Sequence, residues 1–181
     1  MGLKDLGYKP REASTSIIMD DDAAAELDAA TAAYAYYRKQ TDADLKGENA
    51  LVERLNAADE AAQASSVTFR FRAQPRRKVE DLVRACPPSK DELERWKQKA
   101  AAQPLVSKAP PQFDWYRFAP RLIAMSMIEP EASESEVLAM WDDDSSDAWS
   151  DAVWDELWST AWAVNQQVAT RPTYGNDSKQ T

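Results

Sequence analysis

The side chains equipped for chemistry in this chain are few and poorly placed for it. Histidine is absent, which removes the commonest general base, the commonest zinc ligand and the group that titrates near neutral pH. Cys86 is the single cysteine, so an internal disulfide and a thiolate zinc site are both excluded. Asp142, Asp143 and Asp144 form a carboxylate run. A calcium loop of the EF-hand kind alternates its oxygen ligands, turns on a central glycine and closes with a glutamate. Contiguous aspartates with no glycine nearby read instead as a helix-capping turn, as do Asp20, Asp21 and Asp22. Glu129 and Glu131 flank Pro130, but a paired-carboxylate glycosidase site needs a cleft and a set separation, for which the sequence offers no support. Gly2, Gly7, Gly47 and Gly175 are the only glycines, too scattered for a phosphate-cradling loop. No catalytic residue, metal ligand or cofactor is assigned.

What remains is contact chemistry. Trp141, Trp149, Trp154, Trp158 and Trp162 fall within 22 residues that hold no Lys or Arg. Each indole can bury on the order of 150–250 Å², roughly 4–6 kcal/mol of transfer energy as an upper bound. Such density means a packed aromatic core, a partner-binding face, or both. Trp154, Trp158 and Trp162 sit four apart and read as a core stripe, with a rigid anchor for a partner as the sharper reading. Trp149 lies off that stripe and is the better candidate for an exposed anchor. Phe69, Phe71, Trp115, Trp141, Trp149, Trp154 and Trp158 are the candidate partner-binding residues. Met125, Met127 and Met140 read as core fillers.

Charge narrows the class further. The net charge is −9, which disfavours phosphate-driven binding to nucleic acid. The distribution is uneven. Arg70 to Lys99 carries ten basic and five acidic residues, whereas Glu129 to Glu156 carries eleven acidic and no basic ones. This is either a solvated face on each helix or a dipolar molecule whose poles attract each other or a neighbouring copy. Arg70, Arg72, Arg76 and Arg77 are expected to pair with the acidic C-terminal half or with an acidic client. Mean hydropathy is negative, no apolar run is long enough to span a bilayer, and Met1 to Pro10 lacks a signal-like apolar region. A soluble intracellular protein that binds no membrane is expected.

These residues need elements to hold them. Met1 to Met19 reads as an extended arm in which Ile17, Ile18 and Met19 can add a short strand. Two alanine-rich helices, Asp20 to Gln40 and Glu48 to Ala64, carry one apolar stripe each (Leu27, Ala30, Tyr34, Tyr37; Leu51, Leu55, Ala58, Ala62) and form an antiparallel hairpin. Val67 to Ala73 alternates strictly, with Val67, Phe69, Phe71 and Ala73 inward. This strand pairs with Ser14 to Met19 or with another chain. A short helix from Arg77 to Cys86 stops at Pro87 and Pro88. Ser89 with Glu92 is a capping box opening a helix to Ala102. Gln103 to Gln112 is a proline-containing loop. A helix from Ala119 to Ile128 is apolar nearly all round and should be the central buried element. Ser133 with Glu136 is a second capping box, starting a helix into Trp141. Ser146 or Asp147 caps the last helix, which runs to Val168, and a polar tail follows.

Several short motifs follow one another along the chain: the Val67–Ala73 strand, Pro75-Arg76-Arg77, Pro87-Pro88, Phe113-Asp114-Trp115, Phe118-Ala119-Pro120, Ile128-Glu129-Pro130, Met140-Trp141, Trp149 and Ala163-Val164-Asn165. This succession, covering about Val67 to Gln167, resembles the tail assembly chaperones of long-tailed, siphovirus-type phages that infect actinobacteria. The resemblance implies a protein that binds the tape-measure protein, and in a wider sense tail-tube subunits, during tail building. It implies that the protein keeps that client soluble in the host cytoplasm and is missing from the mature virion. Members are often made in two lengths by ribosomal frameshifting, and this chain would be the shorter product. The alanine-rich hairpin lies outside the resemblance.

The expected fold is mainly α: a small helical domain with one short β-strand or hairpin and an N-terminal helical hairpin. The expected divisions are an arm at 1–19, the hairpin at 20–64, a core helical domain at 65–168 containing strand 67–73, and a flexible tail at 169–181. The expected function is chaperone-like binding, without catalysis, with self-association as an added possibility. The alternatives are a structural tail or neck subunit, and an acidic DNA mimic that inhibits a host nuclease.

Overall fold

The computed structural model of the protein describes residues 9–39, 45–102, 109–145 and 148–166. Among them the fold is mainly α, with seven helices and a small antiparallel three-stranded sheet. The chain divides into two compact units, one of residues 14–70 and one of residues 1–13 with 71–181. The division falls inside the strand at 66–72. The expected polar tail, the caps Ser146 and Asp147 and most of the 103–112 loop lie outside the described residues.

The first unit is built on a helical hairpin, as expected. Helix α1 (Asp21–Tyr37) starts at Asp20, whose carboxylate accepts the N–H groups of Asp22 and Ala23 at 3.0 and 3.2 Å. It packs along α2 (Leu45–Ala64). Small side chains make that contact: Ala30, Ala58 and Ala62 are buried, while Leu27, Leu51 and Leu55 are half-buried. The bidentate pair of Arg54 with Glu26, at 2.7 and 3.0 Å, ties the two helices across their exposed side. The Arg54 guanidinium holds the Glu26 carboxyl below the usual carboxylate range.

Strand β1 (Glu12–Ile18) pairs with β2 (Ser66–Arg72), and β2 with β3 (Met127–Glu129), so the sheet order is β1-β2-β3. The strand expected to need a partner thus finds two within its own chain. The β1–β2 register sets Ser16 opposite Thr68, their hydroxyls 2.9 Å apart, and Glu12 opposite Arg72, joined at 2.7 Å. This cross-strand pairing corrects the expectation that Arg72 reaches the acidic C-terminal half. Phe69 and Phe71 point inward as the alternation requires, but Val67 is 38% exposed.

The second unit is organised by helix α5 (Trp115–Ser126), which packs against α3 (Arg76–Ala85), α6 (Glu134–Trp141) and α7 (Asp151–Gln166). The expected central helix is central, but its bounds are shifted. It begins four residues earlier because Asp114 caps it, accepting the Arg117 N–H. Pro120 then lies in the second turn, fully buried, rather than at the start. Proline has no N–H for the Tyr116 carbonyl and so reads as a helix start. At the other end the helix stops at Ser126, and Met127 and Ile128 enter β3 instead of continuing it.

Cys86, Phe118 and Leu122 form the buried core here, with Val79, Leu82 and Val83 of α3 and Trp158 and Trp162 of α7 packed around them. The end of α3 is tied to the start of α5: Asp114 N–H donates to the Cys86 carbonyl at 2.9 Å, and Arg117 donates to the Ala85 carbonyl at 3.3 Å. A guanidinium there also complements the negative end of α3. Both capping boxes form, Ser89–Glu92 at the start of α4 (Lys90–Ala102) and Ser133–Glu136 at the start of α6.

One polar seam crosses this core. Asn165 Nδ2 donates to Ser126 Oγ at 2.9 Å and to the Ala161 carbonyl at 2.7 Å, and its Oδ1 accepts the Gln74 N–H at 2.8 Å. Ser126 is completely buried. An Asn165→Leu variant should lose roughly 1–3 kcal/mol through the orphaned Gln74 and Ser126 groups. Phe118→Ala should lose about 3–5 kcal/mol by leaving a cavity at the centre. Urea unfolding of both variants measures these losses.

Candidate functional site

Three elements bring the aromatic residues together. The first turns of α5 supply Trp115, Tyr116 and Phe118, with Phe113 just before them. The last turn of α6 supplies Trp141, and α7 supplies Trp154, Trp158 and Trp162 at its four-residue spacing. The rings form a continuous row. Trp149 lies 5.2 Å from Trp154, Trp154 lies 5.1 Å from Trp141, and Trp141 lies 5.1 Å from Trp115. Trp115 meets Trp158 edge-on at 6.2 Å, and Trp158 stacks on Trp162 at 5.1 Å. Phe113, stacked on Phe118 at 4.0 Å, closes the inner end. Edge-to-face and offset geometries of this kind add to simple burial.

Burial varies along the row. Phe118 is fully buried and Trp154 is 7% exposed. Trp115, Trp141, Trp149 and Trp158 are half-buried. Tyr116, edge-on to Trp115 at 5.4 Å, is 70% exposed. Met140, beside Trp141 in sequence, is 37% exposed. Phe118 and Trp154 are therefore core, while Tyr116 and Met140 reach the surface beside half-buried Trp115 and Trp141. Between Trp115, Tyr116, Trp141 and Trp154 lies a recess of about 250 Å³, which also has Asp151 and Asp155 on its wall. An indole wall with two carboxylates suits a cationic side chain with an apolar stem, since the ring faces and the carboxylates both attract a cation.

The sequence-derived candidates separate on this geometry. Trp115, Trp141 and Trp154 line the recess, Trp149 abuts it through Trp154, and Trp158 sits behind it. Phe69 and Phe71 are 2% and 0% exposed. They belong to the interior, out of reach of a partner at the surface. Trp149 is not the exposed anchor its place off the stripe suggests, since it lies half-buried against Trp154. Met140 is surface, not core filler. The residue missed is Tyr116. Had Asp114 been read as the cap of α5, Tyr116 would have fallen on the side of the helix away from Phe118 and Leu122.

The acidic runs serve turns. Asp142 caps the end of α6, and Asp143 accepts the Ser145 N–H at 2.9 Å, a bond that holds its carboxyl below the usual range. Among the described residues no group of three or more His, Cys, Asp or Glu side chains is gathered as a metal site. No helix among them is long and apolar enough to cross a membrane. No family model, curated protein or solved structure matches the chain.

Helix α6 carries Trp141 to the recess, and its start depends on a carboxylate. Hydrogen bonds from the Ser133 hydroxyl and N–H lower the Glu136 pKa. A depressed folded pKa means that this contribution is present above the ordinary carboxylate range and fades as pH falls through the lowered value. Thermal unfolding across that window should therefore show a shallower acid-side loss in Glu136→Gln than in the unaltered protein, together with lower stability of the variant at neutral pH.

Proposed function

We propose that the chain is a phage tail assembly chaperone that works by contact rather than by catalysis. It captures a segment of the tape-measure protein, with tail-tube subunits as further clients. The observation that carries this reading is the outer end of the aromatic row. Tyr116 and Met140 are exposed beside half-buried Trp115 and Trp141, and the recess among them carries Asp151 and Asp155. Rigid aromatic anchors with a charged rim are what protein interfaces concentrate their energy in. The ordered motifs between Val67 and Gln167 supply the phage assignment by resemblance.

The mechanism follows from the recess. A client segment presents a Lys or Arg whose aliphatic stem lies along the indoles and whose head meets the two carboxylates. Neighbouring apolar client residues cover Tyr116 and Met140. The acidic surface around the site keeps the complex soluble and repels other acidic chains. Such a protein acts in the host cytoplasm and leaves before the particle is complete. The mixing of indole and carboxylate in one small area supports a peptide site over a DNA mimic, in which carboxylates would spread across the surface.

Affinity purification from infected cells should recover the tape-measure protein, and mass spectrometry of finished particles should find this chain missing. Tyr116→Ser combined with Trp141→Ala should weaken client binding by about tenfold or more, roughly 1.4 kcal/mol. Presence of the chain in finished particles in many copies would make it a structural subunit. Competition with DNA for a nuclease would make it an inhibitor.

A further inference from the structure

The second unit carries another concavity, on ground of opposite charge. It is an open groove of about 1020 Å³. Val79, Phe113 and Trp162 form its apolar floor, and Lys9, Arg11, Arg76 and Arg84 stand around it with Glu80 as the one acidic side chain. In a chain of net charge −9, four cations against one carboxylate is a pronounced local reversal. The rim side chains lean outward: Arg76 is 92% and Arg84 72% exposed. Their ion pairs are short-range ones on α3 itself, Arg76 with Glu80 at 2.7 Å and Arg84 with Asp81 at 3.0 Å. Exposed pairs of this type contribute little and exchange readily.

We propose that this groove receives the acidic aromatic face of a second copy of the chain. The occupant is argued from charge and shape together. Glu129 to Glu156 holds eleven acidic and no basic residues, and this is the segment that presents Met140, Trp141, Asp151 and Asp155. A cationic rim over an apolar floor is the complement of an acidic rim around apolar anchors. The recess suited to a client cation is equally suited to Arg76 or Arg84 of a neighbouring molecule. The contact is head-to-tail, groove to face, so it closes into a ring or a reciprocal pair, or else extends. It would cover Tyr116 until a client displaced it. Self-association and client capture would then compete for one surface, and an idle chaperone would shield its own aromatic face. This inference rests on the proposed use of that face, but its test needs no client, so either can fail alone.

The test is a charge swap read by analytical ultracentrifugation. The full chain should associate at about 0.1 M salt and dissociate at about 1 M, where the screening length falls from roughly 10 to 3 Å. Arg76→Glu with Arg84→Glu should raise the dissociation constant at least about tenfold, and so should Asp151→Lys with Asp155→Lys. Far-ultraviolet circular dichroism checks that each variant is folded. Mixing the two variants should restore association, because each groove then meets a face of opposite sign. A full chain that stays monomeric at low salt overturns the proposal, as does association indifferent to either charge reversal or a mixture that stays apart.

Discussion

The packing of α7 indoles on the buried face of α5 is the contact on which the second unit depends. Phe118 and Leu122 offer α7 a flat apolar floor, and Trp158 and Trp162 cover it. The four-residue spacing on α7 is what lets consecutive indoles reach one line. The row runs on through Trp115 and Trp141 to Trp154, itself buried, and ends at half-buried Trp149. The proposed binding face is thus continuous with the core through ring contacts, held by the same stacking that stabilises the fold. Rigid anchors lose little conformational freedom on binding, which is why a core outcrop serves a partner better than flexible side chains would.

The polar seam at Asn165 imposes a second constraint. An all-apolar core tolerates sliding of one helix along another. A buried amide tied to Ser126, Ala161 and Gln74 does not, because any shift leaves groups without partners. Among the described residues every buried side-chain nitrogen and oxygen has a partner. Register of α7 on α5 is therefore fixed by hydrogen bonds at one end and by indole shape along the rest.

Much of the fold was legible because local signals are strong here. The Ser89–Glu92 and Ser133–Glu136 boxes, the alternation from Val67 to Ala73 and the paired alanine helices all have short-range causes. The misreadings came where long-range contacts decide. Pro120 suggested a helix start, but Asp114 supplied a better cap upstream. Met127 and Ile128 carry apolar periodicity suited to a helix and were recruited by β2 as a third strand, which no local signal announces. Arg72 found Glu12 through strand register, sixty positions away in sequence. The site was legible in composition but not in exposure. Indole spacing locates the row, yet only the packing of α5, α6 and α7 tells which rings surface, and the exposure of Tyr116 is not marked by that spacing.

The unbroken row of rings has an optical consequence. Six of the seven tryptophans, all but Trp96, are chained at centroid separations of 5.1 to 6.2 Å. At such spacing an electronic excitation hops between indoles far faster than it decays. Light absorbed at Trp162 can therefore be emitted, or quenched, at Trp149 at the opposite end of the row. The molecule carries a built-in antenna whose glow responds to whatever lies against any ring of the row.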